Sequence, residues 1–423
     1  MNISLDSALG RQRRLNQVGE TINSIAVPSA GYSLRSLSGG DPLAVRVRRE
    51  VTAASPFESE KDFTVSEVAS GALVNFINST VFTRTDELAL DAGAGFVGLG
   101  ENINCIIGTR YKVTFELKQN SGGSGTVSGN PRFRTSSTFA YSNVVKSSNI
   151  TESTNRFEVN AATTDYQSYS IEFTVDSGTS AGKNFTFQNL DSDDGYTARN
   201  INIEVVAGNG LVATWYDQSG NGNHATQTDT AKQPQIVSSG SLITSNSLPA
   251  IDFTTSYTIL TRQEFLTGQL NSYFTITETD VASSSEVVFR QGTNYRLSNE
   301  YAGTSGSISS QLRDGAGDNA NVSISSDFGN GNMRLTTTLI TARGANGHTV
   351  FVDGGNETSN NSTNIEDTNF ASADSGDFGI GGIPSNSSFD FHGKASEFIF
   401  YNSDQSSNRT ALETNINSYY SIF

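Results

Sequence analysis

Thr214-Trp215-Tyr216-Asp217-Gln218-Ser219-Gly220-Asn221-Gly222-Asn223-His224-Ala225 lies near the middle of the 423-residue chain and carries its only tryptophan. Ahead of it, Leu211, Ala213 and Trp215 alternate with Val212, Thr214 and Tyr216, the period of a strand covered on both faces. Beyond Trp215 the chain turns polar. Gly220 and Gly222 can take positive φ, and Asp217, Asn221 and Asn223 are short enough to bond back to nearby backbone. A buried aromatic strand ending in a rigid, oxygen-rich turn is expected. Trp215, Asp217, Asn221, Asn223 and His224 also form the chain's densest group of candidate ligand-binding side chains.

Outward from this stretch the composition is that of a β protein. Hydrophobic residues make up 35% of the chain, and Gly, Ser, Thr and Asn are abundant, which suits short strands joined by turns. The formal net charge of −16 opposes binding to phosphate backbones and favours neutral ligands. Nucleic acid is therefore excluded as an expected partner. No segment is long and apolar enough to span a bilayer, so no membrane insertion is expected. One cysteine, Cys105, in the apolar run 104–107, reads as a buried thiol, and one Cys with three His provides no zinc set.

Residues 1–26 read as a helical anchor. Leu5, Leu9, Val18, Ile22 and Ile25 fall near one stripe, with Arg13 and Arg14 in a basic patch and Pro28 as the stop. The expected role is insertion into a larger assembly. Next, Leu43, Val45 and Val47 share one face of a strand whose other face carries Ala44, Arg46 and Arg48; the arginines are expected to pair with the chain's own carboxylates. Glu60–Val68 and Leu73–Ile77 read as a short helix or turn followed by a further apolar run.

Between 78 and 207, strands recur at regular intervals. Tyr111, Val113, Phe115 and Leu117 share one face, and Tyr169, Ile171, Phe173 and Val175 share another. The segments Ile107-Gly-Thr-Arg-Tyr-Lys-Val-Thr-Phe-Glu-Leu117, Thr164-Asp-Tyr-Gln-Ser-Tyr-Ser-Ile-Glu-Phe173 and Ile201-Asn-Ile-Glu-Val205 resemble the jelly-roll carbohydrate-binding modules of polysaccharide hydrolases. Such modules stack exposed aromatics on sugar rings. With no Trp in this segment, Tyr141, Phe139 and Tyr196 are the candidates.

From 208 onward, eight or more strands separated by Gly/Asn/Ser turns suggest a two-sheet sandwich. A terminal helix follows, placing Leu412, Ile416 and Tyr419 or Tyr420 at helical spacing. Trp215–Ala225, Pro249-Ala-Ile-Asp-Phe253, Val350-Phe-Val-Asp-Gly-Gly355 and Phe391-His-Gly-Lys-Ala-Ser-Glu-Phe-Ile-Phe-Tyr401 are similar in order to the concanavalin-A-like, laminin-G-like jelly roll of lectins and phage structural proteins. Tyr32-Ser-Leu-Arg35 and Val45-Arg-Val-Arg-Arg49, taken with Tyr216–His224, also resemble arabinofuranosidase B-type catalytic domains, where both motifs belong to one sandwich. The resemblance implies that 27–77 supplies the first strands of the 208–423 sandwich, and that 78–207 is inserted between them. The expected fold is all-β: two β-sandwich (jelly-roll) domains with a short N-terminal helix and a C-terminal helix.

Chemistry is less legible. Asp217, Ser219 and Asn221 alternate as calcium-loop ligands do, but the carboxylate that closes such a loop would fall at Thr228. A self-bonded turn is the default, and calcium is the one cofactor considered; no other is expected. Asp191–Asp194 and Asp314–Asp318 read as ordinary acidic turns. Glycoside hydrolysis needs two carboxyls facing across a sugar, about 5–9.5 Å apart. Asp217, Asp252, Glu286, Asp353 and Glu397 are the candidates, and the sequence does not say which converge. No Gly-X-Ser-X-Gly elbow accompanies His224, His348 or His392.

The expected function is therefore non-catalytic. We read the chain as a bacteriophage virion structural protein, tail-associated or on the capsid surface. Its N-terminus would bind other virion proteins, homo-oligomers would form, and the lectin-like sandwiches would meet host surface glycans. Composition of an extracellular kind without an export signal motivates the virion location. Glycoside hydrolase and purely architectural decoration protein are the alternatives.

Overall fold

The computed structural model describes residues 20–49, 60–91, 96–99, 109–120, 132–134, 140–153, 156–159, 163–177, 185–188, 195–254, 258–266, 270–279, 286–292, 297–302, 307–313, 319–324, 328–342, 347–359, 378–384 and 389–423. Strands dominate, and the helices are few and short apart from the C-terminal one. The fold is all-β, as its composition demands.

One large sheet runs, antiparallel throughout, in the order Ala30–Ser33, Gly393–Tyr401, Asn271–Thr279, Arg334–Ile340, His348–Val352, Gly355–Ser359. A second starts with Glu60–Thr64, Leu43–Arg49 and Gly210–Trp215. It continues through Ala225–Thr226, Leu260–Arg262 and Phe378–Ile380 to Glu286–Gln291 and Leu297–Ala302. Short strands Gln235–Ser238 and Ile251–Asp252 connect the two sheets at one margin. Aromatic side chains fill the space between: Trp215 lies 5.7 Å from Phe398, Phe289 4.9 Å from Phe400, and Tyr32 6.4 Å from Phe378.

Strand Gly393–Tyr401 shows why such a segment is apolar throughout. Phe398 and Phe400 point into the inter-sheet core, while Ile399 and Tyr401 point to the opposite face. There the helix Arg409–Tyr420 lays down Leu412, Ile416 and Tyr420, each at most 1% exposed, at the four-residue spacing of a helical stripe. Tyr420 rather than Tyr419 completes the stripe. Ile22, in a one-turn helix Ile22–Ile25 capped by Thr21, joins the same cluster. Of the expected anchor stripe, Ile22 and Ile25 are among the described residues, and both are packed against their own chain. Leu5, Leu9, Arg13, Arg14 and Val18 lie outside them.

Beneath the helix, Glu397 accepts from Arg35 Nε at 2.7 Å, Arg35 Nη2 at 2.9 Å and Ser33 Oγ at 2.6 Å. Arg35 Nη1 donates to Asn415 Oδ1 at 2.8 Å. This buried pair ties the first strand to the last and both to the helix. Removing either partner alone would strand a charge, at a cost of about 3–5 kcal/mol.

Residues 80–207 form two further sheets. The order of the larger is Thr80–Arg84, Tyr196–Ala207, Arg110–Gln119, Gln167–Ser177, Ala140–Lys146, and Leu88–Leu90 pairs beside it on Tyr196–Ala207. Tyr111, Val113, Phe115 and Leu117 point inward with Ile171 and Phe173, meeting Phe157 and Phe187 from the smaller sheet. This core draws only on residues from Val81 to Val205, whereas the other draws on Ala30 to Ile77 and Val212 to Phe400.

Three local expectations need correction. Leu73–Ile77 is part of a helix, Ala72–Ile77, that follows Val65–Ser70 across Gly71 in the left-handed region at φ 85°. The capping box of Thr64 and Glu67 starts that pair, and Glu60–Thr64 is a strand. Leu43 is 41% exposed and Ala44 is buried, because a register shift between Leu43 and Val45 rotates the strand end. Arg46 pairs with Asp62 at 2.7 Å as expected, but Arg48 donates to the Gln233 amide oxygen at 2.9 Å.

Candidate functional site

The polar turn after Trp215 is turned inward. Asp217 is 8% exposed. Its Oδ1 accepts from Gly31 N at 2.8 Å and Ser219 N at 2.9 Å, and its Oδ2 accepts from Ser219 Oγ at 2.7 Å and Asn223 N at 2.9 Å. Asn223 Nδ2 donates to Ser29 O at 2.7 Å, and Asn221 Nδ2 to Ser29 O at 3.1 Å and Pro28 O at 3.2 Å. Gln218 donates through Nε2 to Ser33 O and accepts at Oε1 from Leu37 N. Tyr32 OH donates to Asn223 O at 2.5 Å, and burial pushes that hydroxyl's pKa well above its ordinary value. The turn is a latch that fastens residues 28–37 to the strand 180 residues later. Gly220 and Gly222, at φ 90° and 73°, let it fold so tightly.

Trp215 is fully buried between Tyr32 and Phe398, so it is core and does not face a ligand. His224 is exposed; its Nδ1 accepts from Asp217 N at 3.1 Å, and its ring packs edge-on against Tyr216. The oxygens that calcium would need on Asp217 face N–H and O–H donors, and Ser219 Oγ donates to Asp217. Among the described residues, no group of three or more His, Cys, Asp or Glu is placed to hold a metal ion. Nor is any helix among them long and apolar enough to cross a membrane.

Tyr141 is not a loop residue. It sits in strand Ala140–Lys146, stacked on Phe157 at 5.0 Å and tilted against Phe173 at 5.6 Å. Burial pushes its hydroxyl up to about 12, and its OH donates to Arg156 O. Tyr196 is 1% exposed in the module core. Phe139, Cys105 and the acidic turns 191–194 and 314–318 lie outside the described residues.

The candidate carboxylates are separately committed. Asp252 accepts from Thr254 N at 2.7 Å. Asp353 accepts from Arg334 Nη1 at 2.8 Å and Leu335 N at 3.0 Å. Glu397 belongs to Arg35. Glu286 accepts from His392 N at 3.2 Å and Thr279 Oγ1 at 3.3 Å; burial raises its pKa, and these bonds only partly offset that. One pairing escaped the sequence altogether: Ser310 Oγ lies 2.8 Å from His348 Nε2, and Tyr273 OH bonds the same hydroxyl. Ser310 is 0% and His348 2% exposed. Both being buried, the pair is a polar link between the facing sheets.

What the structure leaves open is elsewhere. A cleft of about 1020 Å³ lies along the C-terminal helix, at the upper end of the ~300–1,000 Å³ typical of small-molecule sites. Its helix wall presents Thr410, Thr414 and Ser418 on the side opposite Leu412 and Ile416, with Ala411 and Tyr419 at its flanks, Tyr419 also packing against the cluster beneath the helix. Thr410 to Ser418 spans roughly 12 Å at the helical rise. Thr21 and Ile25, Ser36, Gly39 to Asp41, and Val65 with Ser66 form the facing wall. Arg35 lies at the base, its guanidinium carbon 5.5 Å from the Tyr419 ring centre. Asp41 accepts from Ser66 N at 2.8 Å and Ser66 Oγ at 2.5 Å. Slight burial works against its charge, and the bonds from Ser66 outweigh this, holding the carboxyl below its ordinary pKa. Sequence reasoning missed the cleft. The hydroxyl stripe of the helix was readable, but its opposite wall is folded in from more than 340 residues away.

No protein-family model and no curated protein matches the chain. Among solved structures, a Trypanosoma rangeli sialidase in complex with sialic acid is similar at 12% identity and TM-score 0.36, over 48% of this chain and 31% of that one. A mutant GH54 α-l-arabinofuranosidase soaked with 4-nitrophenyl α-l-arabinofuranoside is 15% identical with TM-score 0.36, over 50% and 52%. The binding domain of Paraclostridial Mosquitocidal Protein 1 is 12% identical with TM-score 0.34, over 48% and 49%. This chain thus spans between about a third and a half of those proteins. At these scores the likeness assigns neither ligand nor activity.

Proposed function

We propose that this is a non-catalytic β-sandwich protein that binds glycan in the cleft beside its C-terminal helix. The observation that carries the reading is the cleft's lining: hydroxyls of Thr410, Thr414 and Ser418, the Tyr419 ring and the Asp41 carboxylate around one open volume. Sugars are bound by such a mixture, hydroxyl and carboxylate partners for their OH groups beside an aromatic surface for their C–H faces. The separate commitment of Asp217, Asp252, Glu286, Asp353 and Glu397 favours binding over hydrolysis. Two module-sized cores and a net charge of −16 suit a soluble display protein. The resemblance of its motifs to phage jelly rolls makes a virion surface, tail or capsid, the setting we propose. In that setting residues 27–77 and 208–423 make one domain, 78–207 is an insertion, and 1–26 is the anchor to other virion proteins in a homo-oligomer.

The test is a panel of bacterial envelope oligosaccharides with the intact chain and with Thr414→Phe, which fills the cleft from an exposed helix position. Binding by the intact chain and its loss in Thr414→Phe, with unchanged melting, is the expected result. Silence across the panel would favour a purely architectural role. Release of reducing ends from any member would make the protein a hydrolase and overturn the non-catalytic reading.

A further inference from the structure

The charges around the cleft carry more than its hydroxyls do. Three ionisable side chains line it: Glu20, Arg35 and Asp41. The cation is already matched. Arg35 Nε and Nη2 are bonded to Glu397, itself 1% exposed, and Arg35 Nη1 is bonded to Asn415. The Asn415 amide is spent as well, its Nδ2 donating to Glu20 O. Both acids, by contrast, are at the exposed rim. Asp41 is held ionised by Ser66, and among the described residues none but Arg35 brings a basic side chain to the cleft. A ligand entering the cleft therefore meets two negative rim charges and a cation whose field Glu397 cancels at under 3 Å.

We infer that the cleft selects uncharged glycans and rejects those bearing carboxylate, sulfate or phosphate. This rests on the proposal that the cleft binds glycan, and adds to it the class of sugar. The cause is local. Like charges brought together in a partly enclosed site lose affinity, and no described residue there compensates an incoming anion. Arg35, which in an open cleft would fork a sugar carboxylate, acts here as a positioning residue. It holds Asn415 and underlies Tyr419, shaping the wall without offering its charge.

Paired hexasaccharides of equal length, a neutral glucan and xylan against an oligogalacturonate, titrated calorimetrically at about 0.05 M salt, test this. The neutral member of a pair should bind at least about tenfold more tightly. The gap should narrow as salt rises toward about 0.5 M, because rim charges are screened. Asp41→Asn, at an exposed position, should raise the ratio of oligogalacturonate to neutral affinity about threefold. Glu397→Gln should improve it further by uncovering the Arg35 charge, provided its melting shows that it folds; Asp41→Asn decides the matter if it does not. Tighter binding of the oligogalacturonate by the intact chain, with Thr414→Phe abolishing it, would overturn the inference and leave the glycan site standing. No effect of Asp41→Asn on the neutral-to-acidic ratio would also overturn it. Absence of binding to any hexasaccharide would overturn both.

Discussion

The turn 216–224 and the cleft along helix Arg409–Tyr420 are opposites. The turn concentrates an aspartate, a glutamine, two asparagines and a histidine, and its polar atoms are bonded largely to one another or to residues 28–37. The helix carries plain threonines and serines, and they face an open volume. Chemical richness in a sequence is thus a poor guide to availability. Groups that satisfy one another stabilise a fold, whereas modest hydroxyls on an open surface keep bonding capacity for a ligand.

Breaking the latch tests the first half of that contrast. Deleting residues 30–49 removes two strands and the partners of the turn. It should abolish the cooperative melting of the sandwich while a separate transition from 80–207 survives; a chain that keeps both transitions would refute the pairing. Asp217→Ala leaves the buried N–H groups of Gly31 and Asn223 without acceptors and should lower stability by about 3 kcal/mol or more, read by urea denaturation. Tyr32→Phe removes one bond to Asn223 O and should cost about 1 kcal/mol.

Glu286 sharpens the comparison by pH. Burial raises its folded pKa above the unfolded value, so the folded state binds the proton more tightly. Its contribution is most favourable at acid pH and declines as pH rises from the unfolded pKa through the folded one. Glu286→Gln should flatten that decline in denaturation curves recorded upward from about pH 4. Thr414→Phe, smallest of all, should change stability by no more than about 0.5 kcal/mol yet empty the cleft of ligand.

Much of the fold was legible. Alternation in Arg110–Gln119 and Gln167–Ser177 marks the buried faces outright, because a strand's pleat is encoded within a few residues. The C-terminal helix announced itself through Leu412 and Ile416. Leu73–Ile77 reads only as an apolar run because its four apolar residues around Asn75 fit a strand or a buried helix equally; Thr64 and Glu67, three apart, are the capping signal for the helix Val65–Ser70 just before it. Neighbours in space, Phe157 and Phe173, pack Tyr141 against the core of the 80–207 sheets, which no local sequence pattern announces. The site was not legible at all. Arg35 and Glu397 are 362 residues apart in sequence, and whether an arginine is spent or free depends on which carboxylate the fold brings to it.

Amide hydrogen exchange of the intact chain with and without a bound neutral hexasaccharide puts the two regions in direct competition. Ligand should slow exchange in 36–41 and along Arg409–Tyr420, leaving 216–224 unchanged because its N–H groups are already bonded within the fold. Protection confined to 216–224, with the helix unaffected, would contradict the account.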